Sequence, residues 1–187
     1  MKLNYEPLGK YIKVVNSNNK EIGLDKEYLR GINIHKKFML SVANTTDLDL
    51  SKYKIVKRGQ FAFNPMHVGR DRALPIGLLM DEETIIVSPA YTVFEVIDGN
   101  KIHPEYLFMW FNRDEFDRRA WFTTDNSIRG GFSWDSLCEM KIPLPLIDDQ
   151  INIVSEYNAI MDRIKLNNEM NKKLEKMASL IRTMNFN

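Results

Sequence analysis

Over roughly the first three quarters of the chain, apolar residues come in short runs broken by polar turn residues, as at Asn16-Ser17-Asn18-Asn19, Lys57-Arg58-Gly59-Gln60 and Asp98-Gly99-Asn100. Such a rhythm predicts strands joined by loops. Residues 74–80, 84–97 and 140–144 are rich in Ile, Val, Leu and aromatics and read as core strands, the middle one alternating Thr92, Phe94, Val96 against Tyr91, Val93, Glu95. Pro104 stands where a helix starts, and Leu107, Trp110 and Phe111 recur at i, i+3 and i+4 behind it, so one helix packs on the sheet. The expectation is an α+β globular unit over residues 1–147, built on a twisted β-sheet.

From Asp148 to about Met184 the texture changes: there is no Pro and no Gly, and Glu, Lys, Met, Asn and Leu dominate. Residues 148–187 therefore read as one long C-terminal helix of coiled-coil type. Val154, Tyr157, Met161 and Ile164 form one apolar stripe, and Met170, Leu174, Met177, Ile181 and Met184 form a second in a shifted register, with Asn167 and Asn168 at the joint. At 1.5 Å per residue, about 35 residues extend roughly 50 Å, longer than a domain of about 150 residues is wide. The distal stripe is thus expected to meet a partner helix, and a homodimer through these nine residues is the simplest partner. The four methionines suit a surface that adapts its packing.

Composition narrows the chemistry. With 44% hydrophobic residues and 20 aromatic rings in 187 positions, the chain can bury a core, and 26 basic against 25 acidic residues leave any basic surface local. One cysteine, Cys138, cannot form an internal disulfide, and His35, His67 and His103 lie too far apart in sequence to suggest a zinc site with it. No stretch has the length and apolarity of a signal peptide or a membrane span, so a cytoplasmic protein without a membrane partner is expected.

No Gly-x-Gly occurs, which removes the dinucleotide and P-loop fingerprints, and no cofactor is expected. Asn64-Pro65-Met66-His67 lacks the second proline and the aromatic of the loop with which amino-methyltransferases hold a flipped base. Glu139-Met140-Lys141 fits the Glu-x-Lys element of metal-dependent nucleases, but a chain of this composition yields about two acid-x-Lys matches by chance. Positive charge gathers instead between Ser51 and Ala73, where Lys52, Lys54, Lys57, Arg58, Arg70 and Arg72 face a single acid, Asp71. Asn64, His67, Arg70 and Arg72 in that window, with Ser127 and Arg129 beside Gly130-Gly131, are residue types that contact base edges and phosphates. Lys36 and Tyr91 complete the set of candidate DNA contacts.

The segment Trp134-Asp135-Ser136-Leu137-Cys138-Glu139-Met140-Lys141-Ile142-Pro143-Leu144-Pro145-Leu146-Ile147-Asp148-Asp149-Gln150 resembles the signature that closes each target recognition domain of type I restriction-modification specificity subunits. There a strand reading Ile-Pro-Leu-Pro runs into an acid-Gln pair that opens a spacer helix. Leu8-Gly9-Lys10-Tyr11, Lys57-Arg58-Gly59-Gln60-Phe61, Val87-Ser88-Pro89-Ala90-Tyr91, Tyr106-Leu107 and Ser127-Ile128-Arg129-Gly130-Gly131 fall in family order. Leu146, Asp149 and Gln60 depart from the family's usual proline, Glu and Asp.

The resemblance implies a non-enzymatic specificity subunit that binds double-stranded DNA, reads one half of a bipartite site and docks methyltransferase subunits. The restriction subunit is reached only indirectly, and methylation and cleavage belong to those partners. One recognition domain and one rod amount to half of such a subunit, which a homodimer would restore. Two other classes are a small metal-dependent nuclease using Glu139 and Lys141, and a coiled-coil adaptor with no DNA role.

Overall fold

A computed structural model describes residues 4–41, 48–66, 68–124 and 131–185, with side chains up to Arg182. The chain divides into two compact units, Met1–Ile147 and Asp148–Asn187.

The first unit is built on a four-stranded antiparallel sheet in the order β2 (Ile12–Val14), β9 (Thr92–Val96), β6 (Phe61–Phe63), β7 (Ile76–Leu78). Three two-stranded antiparallel ladders surround it: β1 (Tyr5–Pro7) with β10 (Lys141–Pro143), β3 (Arg30–Ile32) with β4 (Phe38–Leu40), and β5 (Lys54–Lys57) with β8 (Thr84–Val87). The helices are α1 (Val68–Asp71), α2 (Pro104–Phe111), α3 (Asp114–Phe122), α4 (Trp134–Glu139) and α5 (Ile147–Asn185).

Side chains alternate between the faces of a strand, and here both faces are covered. Phe61, Phe63 and Phe94 point into a core closed by Leu107, Trp110 and Phe111 of α2, Phe116 and Ala120 of α3, and Leu137 of α4. Ala62 and Val93 point the other way, onto Ile32, Val56, Leu79, Ile85 and Val87. Phe61 and Phe94 are register partners across β6 and β9, and their rings stack at 4.9 Å. Cross-strand aromatic pairs of this kind stabilise by about 0.5–1.5 kcal/mol beyond their buried area.

The apolar run 84–97 is two strands rather than one. Pro89 has no N–H to give a ladder, and the chain turns there: the Tyr91 N–H donates to the Ser88 carbonyl at 3.0 Å and the Ala90 N–H to Ser88 Oγ at 3.3 Å. The halves then join different ladders, β8 with β5 and β9 with β2 and β6. The expected helix at Pro104 is α2. Three further helices, α1, α3 and α4, were not evident from apolar spacing. α4 is short and starts at Ser133, whose Oγ accepts the Ser136 N–H at 3.0 Å. α3 carries three acids in its first turn and Arg119 in its last, each at the favourable end of the helix dipole.

The second unit is α5, continuous over 39 residues and about 58 Å long at 1.5 Å per residue. Tyr157, Met161, Ile164, Met170, Leu174, Met177 and Ile181 are all exposed. At 100° per residue the two stripes centre roughly 150° apart, so the helix carries two apolar faces, not one. Val154, at the start of the proximal stripe, is 5% exposed. The Met184 side chain lies outside the described part. Among the described residues no helix is long and apolar enough to cross a membrane.

Candidate nucleic-acid interface

The connection between β6 and β7 carries Asn64, Arg70 and Arg72 of the residues singled out from sequence. The Asn64 N–H donates to the Pro75 carbonyl at 2.9 Å, pinching the neck of this loop, and Asn64 Oδ1 accepts from the Met66 N–H at 3.0 Å. The single turn of α1 follows, and the Arg72 N–H closes it on the Val68 carbonyl at 2.9 Å. Arg72 itself has φ of 52°, a left-handed conformation that costs a non-glycine residue roughly 1–2 kcal/mol and persists only where its surroundings hold it. They do so on the far side as well: Leu74 is fully buried, and its N–H donates to Asp117 Oδ1 on α3 at 3.0 Å.

α3 faces this loop with its last turn. Phe116 and Ala120 enter the core, while Trp121 and Phe122 are 42% and 87% exposed. The Arg72 guanidinium lies over the Trp121 ring, 5.2 Å from its centroid. Four of the arginines described in the globular unit are in ion pairs: Arg30 with Glu82, Arg58 with Glu83, Arg70 with Asp71 and Arg113 with Glu115. Arg72, Arg118 and Arg119 have no acidic partner within ion-pair distance among the described residues; Arg118 and Arg119 line one surface hollow with Glu115, Trp121 and Phe122, and Arg72 borders it through Trp121. The nearby acids are engaged elsewhere: Asp71 with Arg70, Glu115 with Arg113, and Asp117 with Lys36. What remains is a surface on which Arg118 and Arg119 flank the exposed Trp121 and Phe122 rings and Arg72 lies over Trp121, residue types that bind phosphates, base edges and base faces.

Lys36 does not belong to that surface. It is 4% exposed, its Nζ donates to Asp117 Oδ1 at 2.8 Å and to the Phe111 carbonyl, and it lies over the Phe116 ring at 4.9 Å. Burial holds its ammonium below the usual lysine range, with Asp117 and Asp114 opposing the shift. A charge neutralised inside the fold cannot contact DNA, so the expectation for Lys36 is corrected to a structural one.

The other candidates divide by place. Arg70 is exposed but bidentate on Asp71, at 2.6 and 3.0 Å. Tyr91 packs against the core on the face of the sheet opposite α3, and its carbonyl accepts from Lys54 Nζ. His67, Ser127 and Arg129 lie outside the described residues. The flanks of 125–130 are fixed: the Thr124 N–H caps α3 on the Trp121 carbonyl at 3.2 Å, and the Phe132 N–H donates to the Pro65 carbonyl at 2.9 Å. Arg118, Arg119, Trp121 and Phe122 were missed from the sequence. Their signal was two adjacent arginines and two adjacent aromatics in a segment whose core face needs only Phe116 and Ala120.

Glu139 ends α4 and Lys141 begins β10, so the Glu-x-Lys match does not share a strand, and no group of three acids, histidines or cysteines that could hold a metal occurs among the described residues.

No family model matches the chain. It is 25% identical over 153 residues to the type I restriction enzyme HindI specificity subunit of Haemophilus influenzae, covering 79% of this chain and 32% of that protein. Among solved structures, the HsdS subunit from Thermoanaerobacter tengcongensis superposes with a TM-score of 0.61 at 17% identity, over 95% of this chain and 47% of that one. A chain from a type I R-M system solved to explain complex assembly and conformational transition gives 0.60 at 18% identity, over 97% and 48%. The type I S subunit from M. genitalium gives 0.55 at 13% identity, over 88% and 40%. The chain thus spans about a third of the curated relative and about half of the solved chains, and the family resemblance read from the Ile-Pro-Leu-Pro segment is borne out.

Proposed function

From this kinship we propose that the chain is a DNA specificity unit of a type I restriction-modification system. The globular unit reads one half of a bipartite double-stranded site, and α5 acts as spacer and dimerisation helix. Methyltransferase subunits dock on it and supply the methylation. Cleavage belongs to a restriction subunit reached through them. The observation that carries the reading is the surface where Arg118 and Arg119 flank Trp121 and Phe122 and Arg72 lies over Trp121, these three arginines having no acidic partner within ion-pair distance among the described residues. In a chain of nearly zero net charge, such a local excess suits an anionic partner, and phosphate neutralisation makes binding steeply salt-dependent.

The base-contacting set comprises Arg72, Ser127 and Arg129, with Asn64, His67, Arg70 and Tyr91 as further contacts. A second copy of the chain provides the other recognition unit, paired through Met170, Leu174, Met177 and Ile181, with Tyr157, Met161 and Ile164 on the other face of α5 available to further helices. Fluorescence anisotropy of the full chain on labelled duplexes, with methyltransferase subunits present, tests the reading. Binding that weakens by a factor of at least ten between 50 and 200 mM salt, and that prefers one sequence over others, supports it. Failure to bind any duplex at low salt rejects it.

A further inference from the structure

Of the three arginines described in the globular unit without an acidic partner, only Arg72 is seated on an aromatic ring. We infer that Arg72 reads a guanine edge in the DNA major groove and that Trp121 is the residue that positions it for this. The inference rests on the DNA-reading proposal and adds to it the base and the device.

Arg118 and Arg119 lie on α3 with no acidic partner within ion-pair distance among the described residues and no aromatic seat, which suits phosphate contacts. Arg72 differs at every level. Its backbone is fixed in the left-handed region, closed behind by its own N–H on Val68 and held ahead by buried Leu74, whose N–H is bound to Asp117. Asp117 is itself held by buried Lys36. Four residues further along the same helix, Trp121 supports the guanidinium. Residues four apart share a helix face, so one face of α3 grips both the chain and the side chain of this short segment.

A cation–π contact of this kind uses none of the guanidinium N–H groups, and no hydrogen bond from the Arg72 side chain occurs among the described residues. Two parallel N–H groups match O6 and N7 of guanine; adenine puts an N–H donor where guanine has O6. Trp121 is 42% exposed while Phe116 and Ala120 of the same helix fill the core, so part of the indole faces outward, where Arg72 meets it. A surface stack contributes little to folding; its physical consequence is that Arg72 loses less freedom on binding.

The test uses the full chain with methyltransferase subunits and a library of duplexes with a randomised core. Wild type should enrich a sequence containing a guanine that R72A and R72K both fail to select, the rest of the sequence remaining. On the enriched duplex, R72A should lose about 5- to 100-fold in affinity. R72K keeps the charge and should keep the salt slope while losing the guanine. W121A should weaken selection of that guanine alone, at unchanged salt slope, and W121F should restore it. An unchanged enriched sequence for R72A and R72K overturns the guanine assignment. Uniform weakening by W121A on all duplexes overturns the positioning role. A wild type that enriches no sequence overturns the DNA-reading proposal beneath both.

Discussion

Lys36 Nζ lies 2.8 Å from Asp117 Oδ1 although the two residues are 81 positions apart in the chain. Asp117 also accepts the Leu74 N–H, so this carboxylate ties the β3–β4 turn, α3 and the segment behind Arg72 to one point. Removing one member of a buried pair leaves the other charge uncompensated, which costs about 3–5 kcal/mol. Lys36→Met should therefore lower unfolding free energy by about 3 kcal/mol in urea titrations. Lys36→Met with Asp117→Asn should cost less than the sum of the single changes. Additive losses would mean that the two groups do not act as a pair.

Gly9 explains one small part of the family-like pattern. A β-carbon at Gly9 would lie 2.8 Å from the Cys138 β-carbon and 3.3 Å from its α-carbon, so the turn at Leu8–Lys10 packs directly on α4. The Leu8 N–H donates to the Met140 carbonyl at 2.8 Å, fixing that contact. Gly9→Ala should destabilise by about 1–3 kcal/mol, seen as a lower melting temperature. Replacing Cys138 by glycine should recover part of the loss in the double variant.

Glu95 gives a pH signature. Its carboxylate accepts from Gln60 Nε2 at 2.8 Å and pairs with Lys13 at 3.1 Å, and these contacts hold it below the usual carboxylate range. The folded state therefore binds this proton less readily than the unfolded chain does. The stabilisation is complete above the ordinary value of about 4.3 and disappears as pH falls through the lower folded value. Glu95→Gln should cost less than about 1 kcal/mol at pH 7, with the difference from wild type closing between pH 4 and pH 2 in denaturant titrations. A difference that persists at pH 2 would assign the loss to packing instead.

What the sequence disclosed was whatever short-range pattern controls. α2 announced itself by Pro104 and the Leu107, Trp110, Phe111 spacing, and α5 by a long stretch without Gly or Pro. The family-like strand beginning at Lys141 is β10, paired with β1. Hidden features depend on partners distant in the chain. Lys36 was read as a surface cation because nothing local shows that Asp117 and the Phe111 carbonyl close over it. α3 was missed because its apolar residues are few and two of its three aromatics face outward. Arg72 was legible as a residue type, but its seat on Trp121 was not, since a contact across 49 positions leaves no periodic trace.

The distal face of α5 carries the dimer proposal. Leu174→Glu with Ile181→Glu places charges in that stripe, and sedimentation equilibrium at tens of micromolar should show a dimer for wild type and a monomer for the variant. Glu substitutions at Met161 and Ile164, on the other face, should leave the dimer intact. A wild type that stays monomeric with methyltransferase subunits bound would remove the dimer from the account.

The most direct test of the central claim is single-molecule mapping of methylated bases in a genome whose cells express this chain with its methyltransferase subunits, against cells lacking the chain. Two identical recognition units related by a two-fold axis must read inverted copies of one half-site, and rigid helices fix the spacing between them. The account predicts methylation, dependent on this chain, at an interrupted palindrome with a gap of constant length. Methylation that does not change when the chain is removed, or a chain-dependent target that is continuous and asymmetric, would contradict it.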